Sequence, residues 1–355
     1  MNLELIKTTD FRCFESLQFE PETGFNLIFG ANACGKTSIL EAIAYLGRGR
    51  SFRGAGSKEL IRHGRGKFVL FGRATERQRR ITLGVSNGKT GIEIHVNGAR
   101  QRGAASLATA FTLQIVEPEV HKLVAGGPEE RRRYLDWIAF HVEPGYLEKW
   151  RRFRRALRQR NAALRSGSNG KTIRSWNQEY LLSAAPLHAS RVAAVELVRN
   201  VLKATGEQLL GAEVGVSYQQ GWRQELSLEE ALEGALLRDR EQGLTHTGPH
   251  RGELVLRIEE RLAKRLVSRG QQKLLACALV LGSVKAAQQR LGQALVLLLD
   301  DPAAELDEDS LRRLMSCVSG LGCQVIATAL TADGGLFQPS AALFHVEQGA
   351  ITRTA

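Results

Sequence analysis

Eight residues, Gly30-Ala31-Asn32-Ala33-Cys34-Gly35-Lys36-Thr37, concentrate the chemistry of this chain. Their spacing is G-x-x-x-x-G-K-[ST]. In that pattern backbone N–H groups close around a β-phosphate, the lysine reaches the β and γ oxygens, and the threonine hydroxyl ligates Mg²⁺. The loop works only between a strand and a helix whose positive dipole end faces the anion. Phe25 to Phe29 is an apolar strand run, and Ser38 to Leu46 has a helical pattern ended by Gly47. A glycine-rich turn that merely caps a helix is the alternative, and the order strand, loop, helix argues for the nucleotide.

A second half of the site is expected far downstream. Leu295 to Leu299 is an apolar run of the kind buried on both faces of a parallel sheet, and it ends in Asp300-Asp301. Asp300 is read as the Mg²⁺-side acid and Asp301 as the base that activates water, with Lys36 on the phosphates. The continuation Pro302-Ala303-Ala304-Glu305-Leu306-Asp307 resembles the D-E-P-x-x-x-L-D segment of ABC-type ATPases, whose last Asp (here Asp307) lies at the interface of two heads. Asp301 stands where that segment has Glu, and its shorter carboxylate predicts slow hydrolysis. Upstream, Ser268-Arg269-Gly270-Gln271 has the S-x-x-Q spacing of a capping box. Its position also suits the ABC signature, in which Ser268, Gly270 and Gln271 would meet the γ-phosphate held by a partner subunit.

The chain has 49 Lys+Arg against 37 Asp+Glu, a formal +12, which favours a polyanionic partner. Residues 131–165 hold eleven Lys and Arg against Asp136, Glu143 and Glu148. Arg151, Arg154, Arg155 and Arg158 recur at helical spacing and form a candidate DNA track, although such a run can be only a solvated face. Five cysteines without C-x-x-C spacing argue against a disulfide frame or a zinc site, and His246 and His250 are separated by Gly248-Pro249. The start carries no signal-peptide pattern and no apolar run approaches a membrane span, so a cytoplasmic protein is expected.

The elements that must position these groups are strands near 1–7, 15–20, 25–29, 67–74, 79–86 and 91–96, with Asn87-Gly88 and Asn97-Gly98 as turns. Residues 128 to 240 read as helical around the loop Ser166 to Gly170. Strand patterns return at 254–258, 295–299 and 323–328. The expected class is α/β, mixed sheets around the phosphate loop with an inserted helical lobe. Three parts are expected: 1–120, the first half of an ATP-binding head; 121–242, a basic helical lobe; and 243–355, the second half, with the signature and the strand-end acids.

The chain resembles the RecF family of bacterial recombination-mediator ATPases, related to SMC-type heads, over essentially its whole length. The resemblance rests on Phe11 to Phe14, Gly30 to Thr37, Arg48 to Phe52 with Arg53, Gly127-Pro128 with Arg131 to Trp137, Gln159 to Leu164, Thr245 to Arg251, Ser268 to Lys273 and Asp300 to Asp307. It implies an ABC-type ATPase head and an ATP-dependent dimer that binds single- and double-stranded DNA at their junctions. It further implies action with RecR and RecO, loading of RecA at gaps, and roles in replication, repair and the SOS response. By the same analogy Arg12 lies near the adenine and Gln114 matches the glutamine that senses the γ-phosphate. The family usually has Gly at Ala33 and Ser or Gly at Cys34, and no histidine follows the strand at 323–328. The rivals are the ATPase subunit of a membrane transporter, disfavoured by the basic helical insertion, and a non-hydrolysing ATP-gated DNA clamp.

Overall fold

The structure, a computed structural model, describes residues 1–263, 268–332 and 341–354. It forms two compact units, one of Met1–Val120 with Gly292–Ala355, the other of His121–Leu291. The expected third part, 243–355, is therefore not one body. Residues 243–291 go with the helical unit, because Glu253–Ile258 pairs with Val214–Gln219 and the helix Arg269–Leu291 packs on Gly170–Leu210.

The first unit holds two six-stranded sheets. One is antiparallel, in the order Phe14–Phe19, Asn2–Phe11, Lys67–Glu76, Arg79–Gly88, Gly91–Val96, Ala99–Gln101. Lys67–Glu76 alternates exposed and buried residues, as a strand with one solvated face must. The other runs Ala350–Arg353, Ala342–Glu347, Phe25–Phe29, Gln324–Ala329, Val296–Leu299, Leu113–Val116, and is parallel except at its Ala350–Arg353 edge. Gln324–Ala329 and Val296–Leu299 are buried at every residue, the mark of strands covered on both faces. The helix Lys36–Arg48 buries Ile39 through Gly47. It shares one core with Phe11, Phe68 and Leu83 of the first sheet and Ile28, Leu298 and Ile326 of the second.

One turn falls two residues later than its sequence suggests. Asn87 and Gly88 stay in the strand, and Lys89-Thr90 turn instead. The reason is that Asn87 is buried and its amide donates to the Tyr45 hydroxyl at 2.9 Å. Asn97 and Gly98 do turn, at φ 50 and 78, joining Gly91–Val96 to Ala99–Gln101.

The second unit is built on the helices Pro128–Val142, Tyr146–Arg165, Gly170–Leu210 and Arg269–Leu291. A three-stranded antiparallel sheet, Val214–Gln219, Glu253–Ile258 and Arg261–Leu262, accompanies them. Val214–Gln219 interrupts what reads in sequence as continuous helix. Asn169 caps the long helix by accepting from the Thr172 N–H at 2.9 Å. That helix passes for a membrane span by length and composition. It nevertheless carries buried Ser183, Ser190 and Arg191, and Arg191 pairs with Asp136 at 2.7 Å within the same unit.

The blocks Gln159 to Leu164 and Thr245 to Arg251 meet in this unit. Arg160, fully buried, pairs with fully buried Asp239 at 2.8 Å and donates to the Thr245 hydroxyl at 2.7 Å. Asn161 accepts from the N–H of Thr245 at 2.9 Å, and Asp239 accepts from the N–H of His246 at 3.0 Å. Tyr180 donates to the Thr247 carbonyl at 2.7 Å. A Cβ on Gly248, at φ 134, would lie 1.8 Å from the Tyr180 hydroxyl, so only glycine fits. Burial pushes the His250 imidazole down to about 4, against the pull of the Thr245 carbonyl that its Nε2–H meets at 2.8 Å.

Candidate nucleotide site

The phosphate loop connects Phe25–Phe29 to Lys36–Arg48. Gly35 takes φ 110, and a Cβ there would meet the Phe14 ring at 2.6 Å, so this position admits no side chain. Ala33 occupies φ 64, a left-handed conformation that costs a non-glycine residue about 1–2 kcal/mol. The loop thus does require the conformation that glycine would supply without strain. Lys36 Nζ donates to the carbonyls of Gly30 at 2.6 Å and Ala31 at 2.8 Å, and its third N–H is available to a phosphate oxygen.

Thr37 and Asp300, 263 positions apart, come together: the Thr37 hydroxyl donates to Asp300 Oδ1 at 2.9 Å. Sheet order explains the meeting, since only Gln324–Ala329 separates the loop's strand from the strand that ends at Asp300. Burial raises the Asp300 carboxyl above its ordinary range, while hydrogen bonds from Thr328 and Thr37 pull it back. These are hard oxygen donors suited to Mg²⁺, which takes one or two protein ligands and completes its octahedron with phosphate and water. No group of three or more His, Cys, Asp or Glu able to hold a metal occurs among the described residues, so such an ion would depend on the nucleotide's oxygens.

A cleft of about 1120 Å³ is lined by Arg12, Asn32, Ala33, Gly35, Lys36, Thr37, Asp300 and Asp301. Arg12 is held at its wall by Glu41, a fully buried carboxylate on the loop's helix that accepts from Nε at 2.7 Å and from Nη2 at 2.9 Å. Ser51 donates to the same carboxylate, and the Glu59 carbonyl accepts from Arg12 Nη1 at 3.1 Å. Hydrogen bonding to Glu41 raises the Arg12 guanidinium's pKa. Gly30, Ala31 and Cys34 belong to the loop but are not among the residues lining the cleft.

Gln114 does not join them. It is buried in the strand Leu113–Val116, where its side-chain oxygen accepts from Arg48, a guanidinium that burial lowers to about 10. Asp307 also lies outside the cleft. It caps the helix Glu308–Ser319 by accepting from the Ser310 N–H at 2.8 Å, a bond that lowers its carboxyl. Ser268, Gly270 and Gln271 lie in the second unit, at the start of Arg269–Leu291, with Ser268 and Gln271 exposed. The capping box is present: the N–H of Ser268 donates to Gln271 Oε1 at 3.0 Å, and the N–H of Gln271 meets Ser268 Oγ at 3.4 Å.

Arg151, Arg154, Arg155 and Arg158 share the exposed side of Tyr146–Arg165, and none makes an ion pair within 4 Å among the described residues. Arg154 lies over the Trp150 ring at 5.2 Å. Other charges of the same segment are structural. Arg160 is internal, and Arg131 is buried against Glu253 at 2.7 Å. Sequence reasoning missed Arg53, Lys58, Arg62, His63, Arg65 and Lys89, which bring further basic groups to the cleft. It also missed Glu41, a carboxylate within an apolar helical run that burial obliges to find a partner.

The chain matches the RecF/RecN/SMC N terminal domain family over residues 2–350. It is 38% identical to the DNA replication and repair protein RecF of Pseudomonas fluorescens strain Pf-5, over all of this chain and 99% of that protein. It is likewise 38% identical to the same protein of Erwinia tasmaniensis, over 99% and 98%. Among solved structures, the recombination mediator protein RecF bound to ATP superposes with a TM-score of 0.89 at 24% identity, over 100% of this chain and 98% of that one. The Smc head domain of Pyrococcus yayanosii superposes at 0.62 and 13% identity, over 100% and 97%. Both show the same fold, the ABC-type ATPase head.

Proposed function

The chain belongs to the RecF family of DNA replication and repair proteins, and from that premise we propose that it is an ATP-dependent DNA-binding protein of recombinational repair. The observation that carries the reading is the 2.9 Å hydrogen bond from Thr37 to Asp300, which joins the phosphate loop to an acid at a strand end. Lys36 and the loop's N–H groups hold the phosphates, with Arg12 on the nucleoside side. Thr37 and Asp300 would hold Mg²⁺, which when bound would supply charge neutralisation for the phosphates. Asp301 orients and deprotonates the attacking water. Hydrolysis is slow, since the acid at this position has one methylene fewer than Glu.

The first unit acts as the ATP-binding head, while the second carries the signature and the DNA-facing arginines Arg151, Arg154, Arg155 and Arg158. ATP promotes a homodimer in which Ser268, Gly270, Gln271 and Asp307 of one copy face the nucleotide of the other. That dimer binds junctions of single- and double-stranded DNA in the cytoplasm and, with RecR and RecO, promotes RecA loading at gaps, in replication and the SOS response. The test is DNA binding and sedimentation without nucleotide, with ATP and with ADP. We expect dimers and tight binding with ATP alone, and equal DNA affinity in all three states would reject the reading.

A further inference from the structure

Thr328 lies within the strand Gln324–Ala329, one residue before its end. On the nucleotide-site reading above, we propose that Thr328 is a positioning residue for hydrolysis, one hydroxyl that fixes both acids. A hydroxyl has one hydrogen and two lone pairs. That of Thr328 donates to Asp300 Oδ1 at 2.9 Å and accepts from the Asp301 N–H at 2.9 Å. Register puts it there. Ala327 pairs with Leu299 on one side, and Thr328 pairs with Ile28 on the other, so the residue after Ala327 stands level with Asp300, between it and the phosphate loop. Thr328 is 1% exposed, yet it is among the residues lining the cleft.

Two consequences follow from the geometry. Asp300 Oδ1 receives hydroxyl protons from both Thr37 and Thr328, so its orientation is kept when Thr37 turns a lone pair to a metal ion. Asp301 sits at φ 47, a left-handed conformation that aspartate adopts more readily than most residues, and the bond to Thr328 holds its N–H. With its one proton committed to Asp300, Thr328 cannot also donate to a γ-phosphate. It acts through the acids and does not touch the reacting atoms.

Thr328→Val keeps the shape and removes the hydroxyl. We expect kcat to fall about tenfold to a hundredfold, the scale of an ångström's misplacement. ATP affinity measured in EDTA should stay within about twofold, because the Lys36 hydrogen bonds remain, while the gain in affinity on adding Mg²⁺ should shrink. Thr328→Ser should restore kcat and the Mg²⁺ gain. In an Asp301→Asn background, which loses the base but keeps the backbone N–H and Asp300, Thr328→Val should lower kcat by a smaller factor than in the parent, the remainder acting through Asp300. Should the valine variant fail to fold, Thr328→Cys, with a much weaker donor of similar size, replaces it. Equal kcat for the parent and the hydroxyl-free variant, or failure of serine to rescue, would overturn the proposal. A parent that binds no ATP would instead reject the nucleotide reading itself.

Discussion

The nucleotide cleft and the buried network of the helical unit are both assembled from charged residues far apart in the chain, yet they treat those charges in opposite ways. In the cleft, Lys36 and Asp301 line open space and buried Asp300 borders it, while Lys36 keeps one N–H that has no acceptor among the described residues. In the helical unit, Arg160 and Asp239 are both fully buried and turned on each other and on Thr245, Asn177 and His246. The motif blocks that single the chain out are therefore of two kinds. Gly30 to Thr37 faces a ligand, whereas Gln159 to Leu164 and Thr245 to Arg251 chiefly face each other. A distinctive motif does not by itself mark a binding site, and the burial of its charges separates the two cases.

The comparison breaks most sharply at Arg160. Arg160→Leu leaves Asp239 a buried carboxylate without its ion-pair partner, which costs about 3–5 kcal/mol. Thermal unfolding should show a large fall in Tm, and a change under about 1 kcal/mol would mean that the network is not what holds this unit. Lys36→Met is the counterpart in the cleft. It should leave Tm nearly unchanged but reduce ATP affinity by roughly a hundredfold, about 3 kcal/mol for a charge-assisted bond. Undiminished affinity by calorimetry would remove the phosphate loop from the site.

pH sharpens the contrast. His250 has a folded pKa of about 4, below its unfolded value, so its contribution to stability is complete above the unfolded pKa near 6.5 and is lost as pH falls toward 4. Between about pH 7.5 and pH 5 this amounts to about 2 kcal/mol, because the unfolded chain takes up a proton that the folded one refuses. His250→Gln should flatten the curve of stability against pH over that window in denaturant titrations. An identical pH slope in the variant would show the imidazole to be more open to water than the structure has it.

The arginines on Tyr146–Arg165 present a third treatment of charge, exposed and without ion pairs among the described residues. Changing Arg151, Arg154, Arg155 and Arg158 to Gln should weaken DNA binding and reduce the slope of log affinity against log salt by about 0.9 for each phosphate that is no longer neutralised. An unaltered slope would make the row a solvated face.

What was legible in the sequence was what neighbours in the chain decide. The phosphate loop and the acids after an apolar strand each declare themselves within a short stretch, and the capping box Ser268 to Gln271 formed as spaced. Pairings across the fold were not legible. Arg131 and Arg160 count as surface charge until Glu253 and Asp239, 122 and 79 positions away, are seen to bury them. Gln114 resembles a phosphate sensor until its place inside a strand turns it to Arg48. Thr328 carries no motif and matters only because strand order sets it between the loop and Asp300.

Ser268 is the residue on which the two treatments of polar groups are hardest to tell apart, and the smallest expected stability change decides it. As a cap, its hydroxyl serves the N–H of Gln271, at a long 3.4 Å. As a signature residue, its exposure lets it meet an anion on another copy. Ser268→Ala should cost about 1 kcal/mol or less of stability on either account. Ser268→Asp separates them, because aspartate caps a helix as well as serine does but places a carboxylate where a γ-phosphate would come. Tm should therefore hold in the aspartate variant, and so should ATP binding by a single copy, since Gly30 to Thr37 are unchanged. Dimerisation on ATP, followed by sedimentation, should be abolished. If the aspartate variant dimerises with ATP as the parent does, Ser268 is a cap alone, and the site is completed without the helix that it begins.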